Sequence, residues 1–170
     1  AISPTIHEVN LYSPQHIVKN IFSSDLSLQN APQPGLINDT YIVGNPPKFV
    51  LQWVNPIFSP LIHDDLDVIT RHLQSKGLTT PILYPLPNGD LCYPDKDKGY
   101  WRMWTFSPGN TFHTMDSTKK AFSSGVGVGK FHQALSDLDH DFKAPPRGGH
   151  NTTEKMTNLQ VAIQNGKGHD

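Results

Sequence analysis

Gly125 to Lys130, GVGVGK, is a dense glycine cluster that ends on a lysine, the composition of a phosphate-cradling loop. Its spacing does not serve that chemistry. A phosphate loop needs four residues between its glycines and a Ser or Thr after the Lys. Here three residues separate Gly125 from Gly129, and Phe131 follows Lys130. The cluster also lies inside a helical pattern, so it is assigned to helix packing. Nine His invite a metal centre, but they are scattered and no H-E-x-x-H pair occurs. His63 and His72 share one expected helix at a poor ligand spacing. His132 is expected to be a buried, hydrogen-bonded packing residue. With one cysteine, Cys92, the chain has neither an intrachain disulfide nor a thiolate cluster. Asn38-Asp39-Thr40 and Asn151-Thr152-Thr153 match a glycosylation acceptor pattern that matters only in a secreted protein. No G-x-S-x-G nucleophile elbow is present, and no carboxylate pair suited to glycoside chemistry can be picked out.

The stretch with the best claim to ligand chemistry is Gly35 to Asn55, GLINDTYIVGNPPKFVLQWVN. It reads as a glycine-bearing turn, a strand, a loop at Asn45-Pro46-Pro47 and a second strand. Gly35 can adopt backbone angles that other residues resist, and N–H groups in such a turn can face a phosphate. A nucleotide, if bound, is expected here. An ordinary hairpin in which Gly35 only turns the chain fits the same pattern.

The elements that must position this stretch follow in order. Residues 1–13 read as an arm. Ser13-Pro14 is an N-cap and first helical residue, and Ile17, Val18, Ile21 and Phe22 give the helix an apolar face. The polar run after it reads as a connection. Ser59-Pro60 repeats the helix-start signature, Ile62, Leu66, Ile69 and Leu73 form one face, and Gly77 suits the C-terminal cap. Asp64, Asp65 and Asp67 are expected on the solvated side, favoured by the helix dipole. Short strands at Ile82–Tyr84 and Leu91–Tyr93 flank a hairpin turn at Pro87–Asp90, and the aromatic run Tyr100–Phe106 is a further strand. These describe a small, mostly antiparallel sheet with a helix on one side, an α+β class. Ser107–Asn110 looks like a hinge. A helix spans roughly 117–138, with Phe122, Gly125, Val128, Gly129, His132 and Leu135 on one side. Lys143–Gly149 is a linker, and Thr152 or Thr153 caps a last helix bearing Met156, Leu159 and Ile163.

Composition narrows the function classes. A net charge of −1 offers no bulk attraction for nucleic acid or an anionic membrane. No apolar run approaches the ~18 residues of a membrane span, and no basic start precedes an apolar stretch at the N-terminus. A cytoplasmic protein is expected.

Several separated motifs resemble one family. Gly35-Leu36-Ile37-Asn38-Asp39-Thr40-Tyr41-Ile42-Val43 leads to Phe49-Val50-Leu51-Gln52-Trp53-Val54-Asn55; Tyr100-Trp101-Arg102, Gly129-Lys130-Phe131-His132 and His150-Asn151-Thr152 follow in order. Together they resemble the N-terminal half of the aminoglycoside-phosphotransferase-like kinases, most of all the N-acetylhexosamine 1-kinase branch, over about residues 14–165. The resemblance implies a protein-kinase-like small lobe over 14–105, a five-stranded antiparallel sheet plus helix, followed over 106–170 by the hinge and first helices of the large lobe. It implies ATP as the nucleotide, a sugar hydroxyl such as the anomeric OH of an N-acetylhexosamine as acceptor, and Mg²⁺ held by the second lobe. Carried over by position, Gly35, Asn38, Asp39 and Thr40 shape the turn over the phosphates. Gln52 stands where related kinases often hold a basic residue. Thr105, Phe106 and Ser107 form the hinge whose backbone pairs with adenine.

Two departures qualify this. Trp53 replaces a residue commonly Arg in the branch. More importantly, the catalytic pattern H-x-D-x-K-x-x-N followed by another Asp occurs nowhere, and neither His140-Asp141 nor His169-Asp170 supplies it. Phosphoryl transfer needs that Asp and its metals together, so the chain is expected to be inactive by itself. A truncated or split kinase that partners a large-lobe chain is one reading; it leaves the apolar faces of the last two helices exposed and prone to self-association. A kinase-derived binding or regulatory module is the second, and an unrelated α+β domain the third.

Overall fold

Ser13 caps the first helix as its type predicts: its side chain accepts the N–H of His16 at 3.3 Å, and Pro14 occupies the first turn. The computed structural model describes residues 12–31, 35–96, 99–110, 112–144 and 151–166. Helix α1 (Pro14–His16) continues into a wider π-helical turn over Ile17–Ile21, closed by the Phe22 N–H on the Ile17 carbonyl at 3.0 Å. The expected apolar face is realised, because Ile17, Val18 and Phe22 are fully buried.

Six strands form one antiparallel sheet: β1 (Leu28–Asn30), β2 (Asp39–Val43), β3 (Phe49–Val54), β4 (Leu83–Tyr84), β5 (Tyr93–Pro94) and β6 (Tyr100–Thr105). The order across the sheet is β1-β2-β3-β6-β4, with β5 also on β6. The sequence pattern gives five. The sixth, β1, lies in the polar run after α1 and pairs with β2 from Leu28 against Val43 to Asn30 against Tyr41. An edge strand needs backbone partners more than an apolar pattern, which is why it escapes a periodicity reading. The 82–93 segment also differs from a hairpin. The turn at Pro87–Asp90 is present, with the Leu86 N–H on the Asp90 carbonyl at 2.8 Å. However, β4 and β5 do not pair with each other. Leu83 pairs with Trp104 and Tyr93 with Trp101, so both lie along the same edge of β6 and the turn is an excursion between them.

Strand alternation sorts the side chains into two faces. Val43, Leu51, Trp101 and Met103 point to one and form the main core with Ile17, Val18, Phe22 and Leu86. Each fully buried Ile, Leu or Met there contributes about 1.5–3 kcal/mol. Thr40, Val50, Gln52, Arg102 and Trp104 alternate with them and take the opposite face. Helix α2 (Ile62–Ser75) lies over that face, with His63 edge-on to Tyr100 at 6.1 Å. The sheet therefore has helical cover on both faces, not one. Gly77, at φ +78°, ends α2. The Leu78 N–H reaches the Leu73 carbonyl at 3.0 Å and the Gly77 N–H reaches Gln74 at 2.9 Å, the paired bonds of a Schellman cap.

Helix α3 (Thr118–Leu135) docks on α2 only at its C-terminal end. Ala134 is buried, and His72 Nε2 lies 2.9 Å from the Ala134 carbonyl and 3.0 Å from Asp137, which Lys76 also pairs. The rest of its apolar side stands open: Phe122 is 73% and Val128 56% exposed, and His132 is exposed instead of buried. Nothing packs against Gly125, Gly127 or Gly129 among the described residues, so the expected close approach there does not occur within them. Helix α4 (Thr152–Gln164) is exposed throughout and is capped by Asn151, whose side chain accepts the Glu154 N–H at 3.1 Å, not by either Thr. The 1–11 arm and most of the 143–149 linker lie outside the described residues.

Candidate functional site

A cleft of about 400 Å³ opens where β6 ends, between the sheet and α2. Its floor comes from strand alternation. Val50 and Gln52 are two apart on β3, and Trp104 sits directly opposite Val50 on β6. Thr70 of α2 and the Thr80-Pro81 loop form the far wall, and Thr105, Phe106 and Ser107 form the rim. Thr70 turns its hydroxyl back onto the Leu66 carbonyl at 2.8 Å, which leaves its methyl side for the cavity. The lining is mainly apolar, with few polar groups, as small-molecule sites commonly are.

Gln52 organises the polar side. Its Oε1 accepts from Arg102 Nε at 3.1 Å and from Trp104 Nε1 at 3.0 Å, while its Nε2 donates to Thr40 Oγ1 at 3.3 Å. Two donors on the oxygen and one acceptor on the nitrogen fix the amide orientation. Three strands are joined through one side chain. Arg102 is partly buried, its guanidinium carbon 5.0 Å from the Trp104 ring centre. Burial pushes the guanidinium down to about 10, with the Cys92 thiol group acting weakly the other way. Among the described residues no carboxylate pairs with it.

The rim is more constrained than a bare hinge. The Thr105 N–H bonds the Ile82 carbonyl at 2.9 Å, and the Phe106 N–H bonds the Lys48 carbonyl at 2.8 Å. Thr105 Oγ1 also accepts the Ile82 N–H at 3.0 Å. Of the three rim N–H groups only that of Ser107 is not spent within the described residues.

The structure thus brings Gln52, Thr105, Phe106 and Ser107 to one cleft, with Thr40 joined through Gln52. Gly35, Asn38 and Asp39 lie elsewhere. Gly35 and Asp39, together with Thr40, line a separate depression of about 290 Å³ beside Asn30 and Ala31. A Cβ at Gly35 would run into the Asn38 carbonyl oxygen, so glycine is required there for close backbone approach. Asn38 Oδ1 accepts the Asn55 N–H at 3.0 Å and ties the turn to the end of β3. Asp39 faces the α1 side, opposite Trp53. Trp53 also leaves the cleft: its Nε1 donates to Asp95 Oδ2 at 2.9 Å. Val50, Thr70, Thr80, Pro81 and Trp104 line the cleft with no site role read from the sequence, and Arg102, part of the Tyr100-Trp101-Arg102 motif, adjoins it through Gln52. Period-two alternation from Gln52 reaches Val50, but nothing local joins β3 to β6 or to α2.

Two α2 residues depart from a solvated face. Asp65 is buried and accepts from Lys143 N–H at 2.9 Å, Ala144 N–H at 2.8 Å and His140 Nε2 at 2.8 Å. Burial alone raises its carboxyl, but these hydrogen bonds prevail and hold it below the usual range. His63 is buried with Nδ1 2.8 Å from the Pro60 carbonyl, and burial lowers its pKa, which favours the neutral ring. Its Nε2 has no hydrogen-bond partner among the described residues. Among the described residues no three His, Cys, Asp or Glu side chains converge to hold a metal ion. The described residues therefore offer no ligand set that fits Mg²⁺. No helix among the described residues is long and apolar enough to cross a membrane.

No family model matches the sequence, and no curated protein matches it. A solved structure does: the amicoumacin kinase hAmiN in complex with AMP-PNP, Ca²⁺ and Ami, with a TM-score of 0.61 at 18% identity over 90% of this chain. The chain spans about half the length of that kinase, 51%. At this identity the likeness establishes the fold alone: the six-stranded antiparallel sheet and its helices form an α+β fold shared with about half of that kinase.

Proposed function

We propose that this chain is the ATP-binding side of a small-molecule kinase, with residues 14–105 as the nucleotide lobe and 106–170 as hinge and first helices of a second lobe. The observation that carries the reading is the cleft at the end of β6. Val50, Trp104 and Phe106 give a flat base apolar walls, and the Ser107 N–H gives it one unspent backbone donor. A kinase of the same fold, solved with AMP-PNP, supports a nucleotide there. The motif resemblance supports a sugar acceptor, the anomeric hydroxyl of an N-acetylhexosamine, and the cytoplasm as the place where such an enzyme meets ATP.

Binding without turnover is the expectation. The sequence carries no H-x-D-x-K-x-x-N, and the described residues offer no metal cluster. Transfer would need a second lobe, on a further segment or a separate chain. The open apolar sides of α3 and α4, and the half-length match to a kinase, support that reading. A binding or regulatory module gains nothing from Trp53, because that residue faces away from the cleft. The test is calorimetry of ATP with the chain and with Thr80→Trp, which fills the cleft from its loop side. Binding to the first and not the second supports the nucleotide lobe. No binding at millimolar ATP by a folded chain refutes it.

A further inference from the structure

We infer that Arg102, held by Gln52, is the phosphate-contacting cation of the nucleotide cleft, a role assigned on β3 by position but carried here from β6. The inference rests on the nucleotide-lobe reading and extends it to one residue.

Gln52 is neutral, so it can offer a phosphate a hydrogen bond but no charge. Arg102 is its register partner on the neighbouring strand and faces the same side of the sheet. Only one of its nitrogens, Nε, is used, on Gln52 Oε1 at 3.1 Å. The two terminal nitrogens form no hydrogen bond or ion pair with the described residues. A guanidinium presents five donors in a rigid fork suited to phosphate oxygens. Stacking on Trp104 and the bond to Gln52 fix its plane, so little side-chain freedom remains to be lost on binding.

Its placement along the sheet fits the order of groups in a nucleotide. Proceeding along β6 from the rim, Trp104 lines the cleft, Arg102 follows and Tyr100 lies against His63. A base held at Ser107 therefore runs its phosphates past Trp104 toward Arg102. A partly desolvated cation with no counter-charge among the described residues is costly to keep unless an anion completes it. The Arg102 charge also acts, after burial, to lower the His63 pKa.

The experiment compares ATP with adenosine, which shares the base and lacks phosphate. Binding is read by calorimetry and by Trp fluorescence on the chain, Arg102→Met, Gln52→Glu and the control Arg71→Met. Gln52→Glu keeps the acceptor for Arg102 and Trp104 and sets a carboxylate counter-charge against the guanidinium, so it offsets the charge without removing Arg102. The expected result is ATP binding weakened ten- to a hundredfold by either change, the loss of one charge-assisted contact. In Arg102→Met adenosine binding stays unchanged, and Arg71→Met, an exposed arginine paired with Asp67, changes neither ligand. If both ligands bind and ATP is as tight in Gln52→Glu as in the parent chain, the role of Arg102 is overturned while the nucleotide lobe stands. If neither adenosine nor ATP binds the folded parent chain, the nucleotide-lobe reading itself fails.

Discussion

At the residue scale, single side chains separate the two faces of the sheet. Trp53 stands where related sequences commonly carry Arg, and the substitution looks like a loss at the ligand site. Its indole instead packs on the α1 side, donating to Asp95 and lying against Gly99. A Cβ at Gly99 would come within 2.5 Å of Trp53 Cε2. Gly99→Ala is therefore expected to destabilise the chain by about 1–3 kcal/mol, the usual cost of overpacking, when followed by urea unfolding. Trp53→Arg is expected to cost about 2–3 kcal/mol through lost packing and to leave ATP affinity unaltered in the same calorimetric titration. A gain in affinity from Trp53→Arg would mean that the side chain reaches the cleft. Asn38→Ala removes the tie to Asn55 N–H and is expected to cost about 1 kcal/mol of stability, again by urea unfolding.

At the scale of elements, α2 is the hub between the sheet and the later helices. Its first turn holds the 140–144 segment through Asp65, and its last turn holds α3 through His72 and Lys76. The acids of this helix belong to different worlds. Asp67 pairs with the exposed Arg71 one turn on, whereas Asp65 is a buried acceptor for a segment more than seventy residues away. Because hydrogen bonding holds the native Asp65 carboxyl below its unfolded value of ~3.9, the unfolded state binds more protons as the pH falls. Its stabilisation is thus complete above that unfolded value and is lost as pH drops through the native one. Urea unfolding at pH 6 and pH 3 is expected to show a larger acid-induced loss for the parent chain than for Asp65→Asn. The variant is expected to be about 2 kcal/mol less stable at pH 6, with backbone exchange at Lys143 and Ala144 accelerated. Equal pH slopes for the two chains would show that another carboxylate carries the effect.

At the scale of the whole molecule, the open sides of α3 and α4 are the main unsatisfied feature. Phe122, Val128 and Phe131 on one helix, and Met156, Leu159 and Ile163 on the other, leave apolar surface in water. Such surface favours association. Sedimentation velocity is expected to show concentration-dependent assembly, reduced when Phe122 and Phe131 are both replaced by Ser. A monomer at all concentrations in the parent chain would argue that these faces need no partner.

Much of the architecture was legible from local chemistry. Ser13-Pro14 predicted the start of α1, Gly77 the end of α2, and Asn45-Pro46-Pro47 the β2–β3 loop, because caps and turns depend on residues within a few positions of one another. Thr105, Phe106 and Ser107 were expected together as a hinge from the family resemblance, not from local chemistry, and they form one rim of the cleft. Contacts between distant segments were not legible. β1 became a strand because β2 offered it backbone partners, and β4 and β5 became one interrupted edge because β6 had room for both. Asp65 left solvent because the 140–144 segment folded over it, and Arg102 came to lie beside Gln52 through a register between residues fifty positions apart. Caps and periodicity are written within a few residues; strand register and the burial of a charge are set by packing across the chain, where no local pattern records the partner.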